Sequence, residues 1–312
     1  MIFSRIAGTG SYLPEKVVTN FDLEKRVETT HAWIVERTGI ESRHIANLDE
    51  STTFMGVQAA KKALDVAGVS PKEVELIIVA TCTPDKVFPS AACLIQVELG
   101  VPPCIAFDVQ AACSGFIYAL SIADSFIKSG KVKKALVIGS ESLSRITDWD
   151  DRRTCILFGD GAGAVLLESS QEAGILSTAL SADGCQKDIV YLDNRAGAFI
   201  QMQGNALFRQ AVNILDQAAV KALKENNLTI SDLHWFIPHQ ANLRIITATA
   251  KKLDLPLDRV VLTLKDQGNT SGASIPLALD AAIRDGRIQR GQNLLLEGIG
   301  GGLTWGTAVI KY

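Results

Sequence analysis

The chain has 312 residues, 47% of them hydrophobic and 21% charged, with a net charge of −3. That length fits one large or two fused domains with ample core, and the charge balance argues against a broad nucleic-acid surface. No apolar run approaches the ~18 residues of a membrane span, and Gly8-Thr9-Gly10 breaks the N-terminus too early for a signal peptide. The six cysteines, at 82, 93, 104, 113, 155 and 185, show no C-x-x-C spacing. No metal or thioredoxin-like site is therefore expected, and the thiols are read as reduced in a cytoplasmic protein.

Taken in order, residues 2–7 read as a first strand and 31–38 as a short helix stopped by Gly39. Residues 51–67 read as an amphipathic helix ending at Gly68, and Ser70-Pro71 as a further helix start. A strand follows over 76–80, then a helix around 90–99. The apolar run Cys104-Ile105-Ala106-Phe107 reads as a buried strand leading into Asp108-Val109-Gln110-Ala111-Ala112-Cys113-Ser114-Gly115-Phe116. A helical pattern leaves that stretch and runs to Gly130. Strands are expected at 135–138 and 162–168, and residues 184–203 fit no period. A long helix over 205–225 precedes a tail of strand 234–237, helix 242–253, strand 260–264, helix 273–285, and strands 293–297 and 304–311. This alternation predicts an α/β protein with buried, largely parallel strands.

A weak internal repeat organises the chain. Leu76–Thr81 can be laid on His234–His239 at an offset of 158, and Ser114–Leu120 on Ser271–Leu277 at 157. The agreement of two offsets predicts two similar halves about a pseudo-twofold axis, divided as 1–171 and 172–312.

Three polar residues stand at ends of predicted strands: Cys113, His239 and Asn269. Each has a bland reading alone: a small packing residue, a structural histidine, a turn residue beside glycine. Ligand sites in open α/β sheets form beyond the carboxyl ends of strands, and the repeat brings these three loops together. Cys113 also stands at a helix start, where unpaired N–H groups favour a thiolate. Glycines 298, 300, 301, 302 and 306 form either a flexible turn or a close backbone approach to a reacting carbonyl. Nucleotide binding is rejected: Gly8-Thr9-Gly10 lacks a third glycine, with Leu13 in its place, and Gly159–Gly163 precedes a strand.

The segments Ala112-Cys113-Ser114-Gly115-Phe116, Pro238-His239-Gln240-Ala241-Asn242 and Gly268-Asn269-Thr270-Ser271 occur in the order found in the β-ketoacyl-[acyl-carrier-protein] synthase III family. This family comprises the initiating condensing enzymes of bacterial type II fatty acid synthesis, and the chain resembles it from Gly8 to Gly306. The resemblance implies a thiolase-like αβαβα layered fold, a homodimer and a Cys113–His239–Asn269 triad. It implies an acyl-CoA primer, commonly acetyl-CoA, and malonyl-acyl carrier protein as second substrate, with no cofactor. Cys113 would carry the acyl group, and neutral His239 and Asn269 would stabilise the enolate left by loss of carbon dioxide. Backbone N–H groups of Cys113 and Gly301 would form the oxyanion hole.

By the same resemblance, Trp33 would stack on the CoA adenine with Arg37 and Arg152 near its phosphates. Gly204, Phe208, Ala241 and Asn242 would line the pantetheine channel. Phe158 would line the acyl pocket, and Phe88 would reach the partner subunit's. Arg209, Arg244, Lys251 and Lys252 would meet the acidic carrier protein. The match weakens between Gly184 and Gln203, which leaves acyl chain length open.

Type III polyketide synthases share Cys, His and Asn, but generally lack the Trp33 and basic-patch set. Thiolase needs a second cysteine that Gly300-Gly301-Gly302 does not supply. A papain-like protease has the same residue order, but its C-G-[SA]-C-[WY] signature is missing. A non-catalytic carrier-protein-binding relative would have lost a triad member, and all three are present.

Overall fold

The computed structural model describes residues 2–312. Its apolar runs become strands of two sheets with one shared layout. Read across the first sheet, the order is Phe3–Tyr12, Asp160–Ser170, Lys134–Ser142, Leu76–Ala80, Ile105–Val109. Across the second it is Ile175–Ala182, Thr304–Lys311, Asn293–Gly300, Trp235–Pro238. Each pairing in the second sheet has the same sense as its counterpart in the first: two antiparallel, then one parallel.

The sheets are therefore mixed, not largely parallel. The expectation failed because Asp160–Ser170 and Thr304–Lys311 return antiparallel without a crossover helix, the first after the 143–159 loop and the second after the turn at 301–303. The strand expected over 260–264 reduces to one parallel bridge between Val260 and Phe236, in the place that Ile105–Val109 fills beside Leu76–Ala80. The strand Ile175–Ala182 went unread, because only Ile175 of its eight residues is fully buried and little apolar alternation marks it. The helix start at Ser70 yields a single turn, Pro71–Glu73.

Helices Gly115–Lys128 and Ser274–Arg284 lie between the two sheets in one apolar cluster that draws on both. Thr52–Ala67 and Ala91–Leu99 cover the outer face of the first sheet. Gly204–Glu225 and Leu243–Lys252 cover that of the second. This is the five-layer αβαβα arrangement. The central helices carry matching buried acids: Asp124 pairs with Lys128 and Asp280 with Arg284, each at 2.8 Å. Ser4 donates to Asp124, and Thr9 and Ser11 donate to Asp280. One strand thus fastens both halves.

The pseudo-twofold reaches the central turns. A Cβ at Gly139 would meet the Gly272 carbonyl oxygen at 2.4 Å, and one at Gly298 would meet that of Cys113 at 3.4 Å. Gly298 lies 159 residues after Gly139, and Gly272 lies 159 after Cys113. Each half therefore presses a glycine of its sheet against the turn of the other half.

Candidate active site

Cys113 sits in the single turn Ala112–Ser114, between the strand Ile105–Val109 and the helix Gly115–Lys128. Ala112 adopts φ +45°, and Ser271, which opens the equivalent turn Ser271–Ala273, adopts +48°. Both turns are strained in the same way, which in the first re-aims the following Cys113 side chain. Thr304 Oγ1 donates to the Ala111 carbonyl at 3.0 Å and accepts from Ser114 Oγ at 2.8 Å. The glycine turn is thereby tied to the Cys113 turn. A Cβ at Gly300 would fall 2.6 Å from the Cys113 nitrogen, so only glycine permits this approach.

The thiol's electrostatics differ from the expectation of a thiolate. Burial pushes Cys113 up to about 11, with Glu141 acting in the same direction and the Ser271 side chain against it. The helix start favours the anion, but desolvation dominates.

His239 ends the strand Trp235–Pro238 and is buried. Its N–H donates to the Glu297 carbonyl at 2.7 Å, and its Nδ1 lies 2.7 Å from Ser274 Oγ. Burial lowers its pKa to about 3, so the ring is neutral at physiological pH. Asn269 is buried on a loop that bridges Phe158. Its N–H donates to the Leu157 carbonyl and its own carbonyl accepts from Gly159. Its Oδ1 accepts the Ser271 N–H at 2.8 Å, which leaves Nδ2 as an outward donor. Beneath this loop the fully buried Arg43 bonds Asn20 Oδ1 and the Ile156 carbonyl.

Cys113, Phe158, Ser271 and Gly301 line a cavity of about 760 Å³, whose far wall is the 187–200 segment. That segment, unplaced by sequence, packs the Val190 carbonyl over Gly301. His239 and Asn269 do not line this cavity; they join the site through Ser274 and Ser271. Phe88 lies outside it and is 85% exposed.

Trp33 lies on the helix His31–Thr38, with the Arg37 and Arg152 guanidiniums 5.7 and 5.3 Å from its ring centre. Arg152 also donates to the Glu28 carbonyl. Asn242 caps the helix Leu243–Lys252 and donates to the Arg37 carbonyl at 3.0 Å. Arg244 lies over Phe208, and Ala241 precedes the cap. Gly204 is exposed at the start of Gly204–Glu225. Trp33 with its two arginines is tied to the His239–Asn242 segment by the bond from Asn242 to the Arg37 carbonyl. Arg209, Lys251 and Lys252 are exposed, though Lys252 is held by Asn213 and Asp216.

Sequence reasoning did not single out Glu141, Ser271, Ser274 or Cys82. Ser271 and Ser274 lie within or beside the quoted motifs. The signal for Glu141 was a charged residue flanked by serines at the end of an apolar strand.

Residues 107–184 match the family model described as 3-oxoacyl-[acyl-carrier-protein] synthase III, and residues 223–312 match its C-terminal counterpart. A protein of Methylococcus capsulatus called beta-ketoacyl-[acyl-carrier-protein] synthase III is 57% identical, over 99% of each chain. The chain belongs to this family. Among solved synthase III structures, that of Aquifex aeolicus superposes with a TM-score of 0.97 at 50% identity, covering 99% of this chain and 100% of that one. That of Pseudomonas aeruginosa gives 0.96 at 39%, covering 99% and 98%. Synthase III structures thus share the thiolase-like layering described above.

Proposed function

We propose that this synthase III family member initiates fatty acid synthesis through an acyl-enzyme on Cys113. It is an acyltransferase that joins an acyl-CoA primer to malonyl-acyl carrier protein, giving a 3-oxoacyl-carrier protein, CoA and carbon dioxide. In the first half-reaction the Cys113 sulfur attacks the thioester and CoA leaves. In the second, decarboxylation leaves an enolate held by His239 Nε2 and Asn269 Nδ2, and its carbon attacks the acyl group. N–H groups of Cys113 and Gly301 hold the oxyanion. Acetyl is the primer we favour.

The observation that carries the reading is the pairing of a buried, neutral His239 with an Asn269 whose carbonyl is already satisfied. Both are left as donors without a proton to quench a carbanion. Trp33, Arg37 and Arg152 are read as the adenine and phosphate contacts, and Gly204, Phe208, Ala241 and Asn242 as the pantetheine path. Phe158 lines the acyl pocket, and Arg209, Arg244, Lys251 and Lys252 form the docking patch.

A cytoplasmic homodimer fits two further observations. The strand Ile105–Val109 pairs on one side only, and Val87 and Phe88 are strongly exposed nearby in the chain. No helix among the described residues is long and apolar enough to cross a membrane. The reading calls for no cofactor, since acyl-CoA is consumed as a substrate. We divide the halves at 171/172, in the turn between Asp160–Ser170 and Ile175–Ala182.

Intact-mass measurement after incubation with acyl-CoAs of graded length tests the reading. One adduct is expected, on Cys113, absent in Cys113→Ala. A folded wild-type protein that takes up no acyl group overturns it.

A further inference from the structure

Burial pushes the Cys113 thiol up to about 11, so it is held protonated at pH 7. Attack on a thioester therefore requires that its proton go somewhere. His239 makes no hydrogen bond to Cys113 among the described residues; its Nδ1 partner is Ser274. The groups packed under Cys113 offer a different acceptor.

Glu141 is fully buried at the end of Lys134–Ser142. Its Oε2 accepts from the Cys82 N–H at 3.0 Å and from the hydroxyls of Thr83 and Thr81 at 2.7 and 3.3 Å. Its Oε1 has no well-formed hydrogen bond and faces the Ser271-Gly272 turn, where a Gly272 Cβ would lie 3.5 Å away. A buried carboxylate oxygen without a partner is costly, so this one calls for a role. Ser271 lines the same cavity as Cys113. The Ser271 side chain favours the anion of both Cys113 and Glu141. The Ser271 N–H meanwhile fixes Asn269 Oδ1, which holds the turn in place.

We propose that Glu141 is the proton acceptor for Cys113, acting through the Ser271 hydroxyl. The inference rests on the reading of Cys113 as the acyl carrier. For the transfer the thiol donates to Ser271 Oγ, and the Ser271 hydroxyl turns to donate to Glu141 Oε1, which otherwise has no partner. As sulfur bonds to the acyl carbon, the S–H bond breaks and its proton joins Ser271, whose own proton passes to Glu141. When the carbon–sulfur bond to CoA breaks, the same path returns one proton to the leaving thiolate. The step ends with an acyl-cysteine, neutral CoA thiol and Glu141 as it began. The single negative charge passes from Glu141 to the oxyanion and then the CoA sulfur, and returns to Glu141 with the last proton transfer. Burial raises the pKa of Glu141, which makes it a better base than an exposed carboxylate. The titratable groups facing it are the thiols of Cys82 and Cys113.

The test is single-turnover acylation by acetyl-CoA, followed by intact mass from pH 6 to 9, in wild type, Glu141→Gln and Ser271→Ala. Primer-free decarboxylation of malonyl-carrier protein is measured beside it. Glu141→Gln is expected to acylate roughly a hundredfold more slowly at pH 7, within the range of general-base effects. Its rate should rise about tenfold per pH unit, because the thiol must then ionise by itself, while the wild-type rate rises much less. Ser271→Ala should behave alike, and the double variant should be no slower than either single one. Decarboxylation by Glu141→Gln should stay within about threefold of wild type. Acylation by Glu141→Gln at the wild-type rate and slope overturns the proposal, as does an equal loss of acylation and decarboxylation. A Ser271→Ala variant that acylates normally overturns it too. Failure of wild type itself to form the adduct removes the underlying reading instead, so the two failures are distinguishable.

Discussion

His239 Nδ1 lies 2.7 Å from Ser274 Oγ, and that same oxygen accepts the Gln240 N–H at 3.2 Å. With one lone pair so occupied, the Ser274 hydroxyl can point its proton at Nδ1. The imidazole's single proton then stands on Nε2, where a donor to an enolate is required. Ser274→Ala removes that preference at a cost of about 1 kcal/mol. Condensation should fall roughly fivefold while acyl-Cys113 forms at the wild-type rate. Equal slowing of both half-reactions would show that Ser274 only supports the fold.

The depressed pKa of His239 has a consequence for stability. In the window between about 3 and 6.5 the unfolded chain binds a proton at this position and the folded chain does not. Stability is therefore fully present above pH 6.5 and is lost as pH falls toward 3. The contribution is about 2 kcal/mol between pH 7 and pH 5. Denaturant unfolding of His239→Asn should show a correspondingly smaller loss over that interval than wild type.

Glu297 carries the opposite sign. It is buried, neither carboxylate oxygen has a hydrogen bond, and desolvation together with Asp216 holds its pKa well above the ordinary value. The folded chain retains this proton above pH 4.5 while the unfolded chain releases it. Stability at this position therefore falls as pH rises, by at most about 1.4 kcal/mol per unit. Glu297→Gln should gain stability relative to wild type on going from pH 5 to pH 8. A difference that does not change with pH would contradict this.

Gly300 meets the Cys113 nitrogen so closely that a methyl group cannot be added without moving one of the two turns. Gly300→Ala is expected to slow acylation by at least the ~100-fold associated with loss of one oxyanion donor. The rate of mass increase on Cys113 measures this, with circular dichroism as the check on folding.

At the nucleotide end, Trp33 lies against two guanidiniums. Trp33→Ala should raise KM for acyl-CoA about tenfold, in line with ~1–2 kcal/mol of aromatic and cation–π contact, and leave kcat nearly unchanged. A fall in kcat with KM constant would place Trp33 outside the CoA path.

Most of the frame was legible in the sequence where hydrophobic period and capping residues agree. Leu76–Ala80 was read with its observed bounds, and the helices stopped by Gly39 and Gly68 end at those residues with positive φ. The offsets of 157 and 158 pointed to a duplication, but the structural register is 159, matching Leu76 to Trp235 and Ala112 to Ser271, so the sequence alignments were one and two residues out. What escaped was set by tertiary contact. Ile175–Ala182 is half exposed and shows little alternation, and the 187–200 wall takes its path from the cavity it closes. The thiol's environment was misread because a helix start is visible in sequence and desolvation is not. Glu141 went unread, because its burial beneath the Ser271-Gly272 turn is set by tertiary contact.

The matching turns of the two halves also bear on how many sites such a frame can hold. Cys113 and Gly272 occupy corresponding places, and each turn is pressed by a glycine from the opposite sheet. A doubled scaffold has room in principle for two nucleophiles, yet one turn contributes the sulfur and the other the amide beside it. In the proposed reading the two matching turns divide the labour of a single, lopsided reaction centre. A change in either copy is a change in that one centre.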